Sequence, residues 1–98
     1  MIRSFADGGT EDIFNGKNTS RARKACPGMV WNVAARKLEL LDSAARLEDL
    51  RIPFGNRLEA LSGDRKGQYS IRINDQYRIC FEWTDRGPFE VEIVDCQK

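Results

Sequence analysis

The second half of the chain alternates apolar and polar residues with a period of two, and this pattern constrains the fold most. It recurs in three stretches that are separated by turn-forming residues: 69–73, 77–83 and 89–93. Successive side chains of a β-strand point to opposite faces, so each stretch has one apolar face. An antiparallel sheet packed on helices requires such strands. A short strand over residues 58–61 precedes them.

The parity of this alternation also predicts how the strands pair. Apolar residues of neighbouring strands face each other only if the first hairpin has a three-residue loop, Asn74 to Gln76. The same rule predicts a five-residue loop, Thr84 to Pro88, in the second hairpin. Under this register Arg72 lies opposite Arg78 on the outer face, the face that carries the polar residues. Two like charges directly opposed across a ladder destabilise it.

Two interpretations of this arginine pair stay open. An anion between the guanidinium groups would remove the repulsion, and their planar forks of donors suit a phosphate. Alternatively, Glu92, which lies diagonal to Arg78 across the second hairpin, neutralises Arg78, and both arginines merely cover the sheet.

The first half of the sequence predicts two helices after a short edge strand at residues 1–5. Thr10 is a candidate N-cap for a first helix that ends at Gly16. Apolar residues at three- and four-residue steps predict a second helix over about 29–45. Residues 17–28 are polar and end in a Pro-Gly pair, which indicates a loop. The expected fold is therefore α+β, with two N-terminal helices packed on an antiparallel sheet.

Length and composition limit the chemistry. The 98 residues allow one domain, 1–98, with a modest core. The absence of histidine excludes Ser-His-Asp catalysis, histidine-bound zinc and a histidine base. The three cysteines are widely spaced and odd in number, so neither a disulfide framework nor a cysteine zinc site is expected. We expect no metal and no other cofactor.

No apolar run approaches the roughly 18 residues of a spanning helix, and no secretory signal is visible. We therefore expect a cytoplasmic protein without a membrane partner. The net charge of +1 conceals a basic stripe, since residues 17–37 contain six basic and no acidic residues. Such a stripe suits a polyanion or an acidic protein surface, although charge alone favours the simpler interpretation, a solvated helix face.

Three stretches of the chain form a specific pattern: Gly55–Arg65, the run Gly67–Phe81 with its Ser-Ile-Arg-Ile-Asn-Asp-Gln-Tyr-Arg motif, and Val91–Asp95. Together they resemble the HigB-type killer toxins of the RelE/ParE superfamily. The opening residues 1–5 and the helix residues 35–42 are similar to that family as well.

The resemblance implies a fold with two N-terminal helices on a curved, mostly antiparallel sheet. It implies a ribosome-dependent mRNA endonuclease that needs no metal. Such an enzyme acts in the ribosomal A site, on the small subunit, by attack of a 2′-hydroxyl on the neighbouring phosphate. The resemblance further implies a cognate HigA-like helix-turn-helix antitoxin, which represses the operon, so that the toxin reaches operator DNA only through its partner.

The resemblance also assigns candidate site residues. Arg78 takes the position of the arginine that contacts the scissile phosphate, and Asp95 that of the acidic residue near the C-terminus. The family ending Asp-Tyr-His reads Asp95-Cys96-Gln97 here, and a further family histidine falls on Glu59, so these positions are the other catalytic candidates. The expected RNA-backbone contacts are Arg72, Arg65, Lys66, Arg57, Lys37, Arg36, Arg23, Lys24 and Arg21.

Two main functions follow from these departures. One is a slow endoribonuclease, because a general acid–base group contributes about 10² to 10⁴-fold and its loss need not abolish cleavage. The other is a non-catalytic binding module that acts as antitoxin partner and operon co-repressor. Gyrase poisoning, as in the ParE branch, is a third and weaker alternative.

Overall fold

The computed structural model describes residues 1–96. Over this range three α-helices precede one four-stranded antiparallel sheet with strand order β1-β2-β3-β4. The helices are α1 (Gly8–Phe14), α2 (Ser20–Ala25) and α3 (Trp31–Ser43), and the strands are β1 (Glu59–Ala60), β2 (Gln68–Arg72), β3 (Tyr77–Thr84) and β4 (Gly87–Asp95). The predicted α+β class is confirmed. Among the described residues, no helix is long and apolar enough to cross a membrane.

The core lies between α3 and one face of the sheet. Leu38 and Leu41 project from α3 and are fully buried, because they lie three residues apart on one helix face. Ile79 and Phe81 of β3 meet them from the sheet, together with Val91 of β4. The alternation of the strands therefore buries one face of the sheet, as predicted.

The segment predicted as a loop contains the additional helix α2. Thr19 caps it by accepting a hydrogen bond from the backbone N–H of Ala22 at 3.1 Å. Ala22 is its one fully buried residue, so the sequence carries no apolar period that would predict it. A bidentate ion pair between Arg21 and the buried Asp12 holds α2 against α1.

The cap of α1 also differs from the prediction. Asp7, not Thr10, caps the helix, accepting from the backbone N–H of Thr10 at 2.8 Å. Thr10 is instead buried in the first turn, and its hydroxyl accepts from the backbone N–H of Ile93 at 3.0 Å. The helix starts earlier than predicted because Gly8 and Gly9 are helical residues. Of residues 1–5, only Phe5 forms a bridge, parallel to Val91 of β4.

The first hairpin has the predicted register, with Ile71 opposite Ile79 and Arg72 opposite Arg78. The second hairpin keeps the register that parity predicts as far as Ile79 opposite Ile93, but departs from it toward the turn. Thr84 pairs with Gly87, so the loop has two residues and not the predicted five. The difference arises because a β-bulge at Glu90 adds one unpaired residue to β4. Glu90 has a positive φ of 53°, a left-handed conformation that occurs in one of the common bulge types.

Candidate active site on the outer face of the sheet

Arg78 lies on the outer face of β3 and is firmly anchored. Its Nε donates to the hydroxyl of Ser70 at 2.7 Å, and its Nη2 donates to the carbonyl of Arg57 at 2.7 Å. The side chain is 17% exposed. Within the described chain, its Nη1 makes no hydrogen bond to protein, so that nitrogen can donate to a bound phosphate.

The backbone around Arg57 is what presents its carbonyl to Arg78. Arg57 follows the 3₁₀ turn Phe54–Asn56 and has φ 46° and ψ 60°, in the left-handed region. A non-glycine residue there costs about 1–3 kcal/mol, so the surrounding contacts must hold it. Strain of this kind is often found at functional sites.

Glu59 of β1 is brought to the same place. Its Oε1 lies 3.9 Å from Nη2 of Arg78, and its side chain is 58% exposed. Two of the residues predicted to be catalytic therefore share one site. A carboxylate beside an anchored guanidinium places a proton acceptor next to a group whose chemistry suits phosphate.

Asp95 is not brought to this site. It lies opposite Tyr77 and two residues beyond the buried Ile93, so the pleat turns it toward the helices. There it lines a cavity of about 590 Å³ with residues of α1 and α2, among them Arg21. Its carboxylate accepts from Nε2 of Gln76 at 3.1 Å. Burial, and then the negative charge of Asp95, raise the pKa of Tyr77.

The two remaining catalytic candidates lie at the chain end. Cys96 follows β4 and is exposed, and its backbone N–H donates to the carbonyl of Gln76 at 2.6 Å. Gln97 lies outside the described residues.

The opposed arginines have separate partners. Arg72 faces Arg78 across the ladder, but its guanidinium pairs with Asp75 in the hairpin loop. Glu92 pairs with Arg65 at 2.8 Å and not with Arg78, so the interpretation in which Glu92 neutralises Arg78 is wrong. The hydrogen bond that Arg65 donates to Glu92 raises the pKa of Arg65.

A second basic cluster lies beside the first hairpin. Arg36, Lys37 and Arg72 line a cavity of about 440 Å³, and none of the described residues lining it is a carboxylate. Lys37 donates from Nζ to Oδ1 of Asn56. Burial lowers the pKa of Lys37, and the positive charges of Arg36 and Arg72 lower it further.

The other basic residues occupy different surfaces. Arg21 is bound to Asp12, and Arg23 donates to Oδ1 of Asn18 at 2.7 Å, so both have protein partners on or beside α2. Lys24 lines the cavity that contains Asp95. Arg65 and Lys66 line a small polar cavity before β2. The basic residues of the predicted stripe are therefore divided among elements: Arg21, Arg23 and Lys24 lie on α2, and Arg36 and Lys37 lie on α3.

Sequence reasoning missed three residues of the outer-face site. Ser70 has the outer-face parity, which was a usable signal, but its partner depends on the tertiary fold. Arg51 and Phe54 line a cavity of about 410 Å³ that adjoins Arg78 through Glu59. They lie in a turn whose fold no periodicity predicts. No group of three or more cysteine or acidic residues within the described part of the chain is placed to hold a metal ion.

Residues 3–95 match the model of the RelE-like toxin of the type II toxin–antitoxin system HigB. The chain is 42% identical to Toxin HigB-1 of Vibrio cholerae over 85 residues, which cover 87% of this chain and 86% of that protein. It is 39% identical to an uncharacterized protein of Haemophilus influenzae over 57 residues, 58% of this chain and 56% of that one.

The α+β fold, the anchored Arg78 and these sequence matches all indicate the same family. The chain belongs to the HigB-like family of RelE-like toxins, the toxin components of type II toxin–antitoxin systems. The predicted family is thereby confirmed, and membership implies an antitoxin as partner.

Proposed function

We propose that this toxin is a ribosome-dependent endoribonuclease that cleaves mRNA in the A site and so inhibits translation. The observation that carries the proposal is the anchored guanidinium of Arg78, with Nη1 left to donate and Glu59 3.9 Å from Nη2. Ribosomal RNA and mRNA are then its partners, and its place of action is the cytoplasm.

The chemistry follows from the substrate. The 2′-hydroxyl of one nucleotide attacks the adjacent phosphorus, and Glu59 accepts its proton. The bond from phosphorus to the 5′ oxygen breaks, and that oxygen takes a proton from water. The hydroxide so formed takes back the proton that Glu59 accepted, and the products are a 2′,3′-cyclic phosphate and a 5′-hydroxyl. Arg78 stabilises the charge that develops on the phosphate. No metal is required, because the nucleophile belongs to the substrate and the guanidinium supplies the positive charge.

Cleavage is expected to be slow. A carboxylate is poorly matched to serve as general base at neutral pH. Asp95 lies on the other face of the sheet and contributes no acid at Arg78. Positioning and phosphate stabilisation therefore supply most of the rate enhancement.

The position of Asp95 also favours a second candidate function. A toxin-fold module without catalysis would still bind its antitoxin, which we propose to be a HigA-like helix-turn-helix protein. It would act as co-repressor of the operon and contact operator DNA only through that partner. Basic side chains away from Arg78 would then serve protein contacts.

Growth arrest separates the two functions. Induction of the parent without antitoxin should stop growth, and Arg78→Ala at equal protein level should not. Arg86→Ala is the matched control, because Arg86 is an exposed arginine in the turn at the far end of β3. Equal arrest by the parent and Arg78→Ala would refute the role of Arg78. If the parent is inert, cleavage gained by Cys96→Tyr with Gln97→His would show that the scaffold supports catalysis.

A further inference from the structure

Phe54 is the one aromatic side chain in the described chain that is largely exposed, at 92%. It lies beside the outer-face site and makes no part of the core. We propose that Phe54 is the platform on which an unpaired base of the RNA substrate stacks. This inference rests on the proposed function, because the base belongs to the RNA whose phosphate Arg78 contacts.

The turn that carries Phe54 is held in place from beneath. Asn56 is fully buried, and its Nδ2 donates to the carbonyls of Leu50 at 3.1 Å and Ile52 at 3.4 Å. Its Oδ1 accepts from Lys37 of α3. The ring is therefore presented to solvent on a fixed backbone, which reduces the ordering entropy that binding would cost.

The cavity beside the ring has the chemistry of a nucleotide site. Phe54, Arg51, Arg57, Leu58 and Glu59 line about 410 Å³, which is ample for one base. The lining contains two guanidinium groups, of Arg51 and Arg57, and one carboxylate, of Glu59, so its net charge favours an anionic ligand. An aromatic face with neighbouring arginines is the usual surface on which single-stranded RNA bases stack.

The cavity adjoins Arg78, the residue proposed to contact phosphate. The carbonyl of Arg57 accepts a hydrogen bond from Nη2 of Arg78, and Oε1 of Glu59 lies 3.9 Å from the same nitrogen. A base on Phe54 and a phosphate at Arg78 therefore occupy neighbouring places, as two parts of one nucleotide chain require. An acidic protein surface would use the two arginines but would leave the exposed ring without a specific role.

Three substitutions at one position test stacking against simple apolar contact. Phe54→Ala and Phe54→Leu should weaken binding of a short fluorescein-labelled single-stranded RNA about 5- to 150-fold, whereas Phe54→Trp should retain it. Phe54→Ala and Phe54→Leu should also lower kcat/KM on programmed ribosomes by a similar factor, mainly through KM, and Phe54→Trp should not. Ile52→Ala is the matched control, since Ile52 is 75% exposed and is not among the described residues that line the cavity. Substitutions at exposed positions such as these usually change the free energy of unfolding little.

Each outcome decides the proposal. If Phe54→Leu binds RNA as well as the parent, if Phe54→Ala changes nothing, or if the parent binds no RNA, stacking is refuted. If Phe54→Ala and Ile52→Ala both lose antitoxin binding and keep RNA binding, the surface belongs to the antitoxin. RNA binding that depends on the ring without any cleavage by the parent would support stacking and refute the proposed nuclease. Cleavage equal in parent and variants would refute stacking alone.

Discussion

The hydrogen bond between Ser70 and Arg78 gives the most direct test of the outer-face geometry. Ser70→Ala removes the oxygen that accepts from Nε of Arg78 at 2.7 Å. Ser70 is fully buried and Arg78 is 17% exposed, so water replaces the lost acceptor poorly. A hydrogen bond to a charged group contributes about 1.5–3 kcal/mol to stability. For a domain of this size the Tm should fall by roughly 6–24 °C.

A double-mutant cycle isolates the pair from other effects of each substitution. Ser70→Ala, Arg78→Ala and the double variant should show a coupling energy of about 1–3 kcal/mol in urea unfolding followed by circular dichroism. The reference cycle uses Arg72 and Asp75, which form an ion pair on the same sheet but are 32% and 91% exposed. That pair should couple by about 0–1 kcal/mol. Equal coupling in the two cycles would refute the description of Arg78 as anchored.

Three further predictions concern the helical layer and the thiols. Gly9→Ala should lower the free energy of unfolding by about 1–3 kcal/mol, because the added Cβ would clash with the backbone carbonyl of Arg21 where α2 crosses α1. Gly28→Ala is the control and should be tolerated, since a Cβ there would have no neighbour within 4 Å. Equal unfolding free energies for the two variants would contradict this. Hydrogen bonds, chiefly from Arg21, lower the pKa of Asp12 below its ordinary 3.8, so the stability that this carboxylate contributes is present above about pH 4 and is lost as the pH falls further. Asp12→Asn should therefore flatten the dependence of the urea unfolding midpoint on acid pH. An unchanged pH dependence would contradict this. Burial raises the pKa of Cys26 to about 11, so iodoacetamide at pH 8 should label the exposed Cys96 first, and equal rates by peptide mass spectrometry would contradict that order.

The pairing of the first hairpin was predictable because it depends on parity alone. Ile71 and Ile79 must both face the core, and a three-residue loop satisfies that condition. The same rule predicts Ile79 opposite Ile93 in the second hairpin, but it is wrong toward the turn, because it assumes that both strands are regular. The bulge at Glu90 changes the parity of β4 between the turn and Ile93, and glutamate carries no sequence signal for a positive φ.

The helix α2 was missed for a different reason. Its stability comes from the ion pair between Arg21 and Asp12 and from the cap at Thr19, and not from an apolar face. An interaction between two separate helices has no periodic signature in the sequence. The six basic residues of 17–37 therefore predict one stripe, whereas the fold places them on separate elements.

The family resemblance identified residues but not their arrangement. Arg78 and Glu59 share the outer-face site, whereas Asp95 faces the helices. Parity could have predicted that separation, since Asp95 is two residues from Ile93, which the alternation already assigned to the core. Phe54 was not predictable as a site residue, because its turn is positioned by the buried Asn56 and by a lysine of α3.

Primer extension on an mRNA held by programmed ribosomes tests the central claim most directly. The parent should cut the mRNA within the A-site codon and leave the same mRNA intact when ribosomes are omitted. Arg78→Ala should lower kcat by about 10²- to 10³-fold, as does removal of one donor from a charge-stabilising site, and Arg86→Ala should cut at the parental rate. An mRNA that stays intact at every parent concentration, or equal cutting by the parent and Arg78→Ala, would contradict the account.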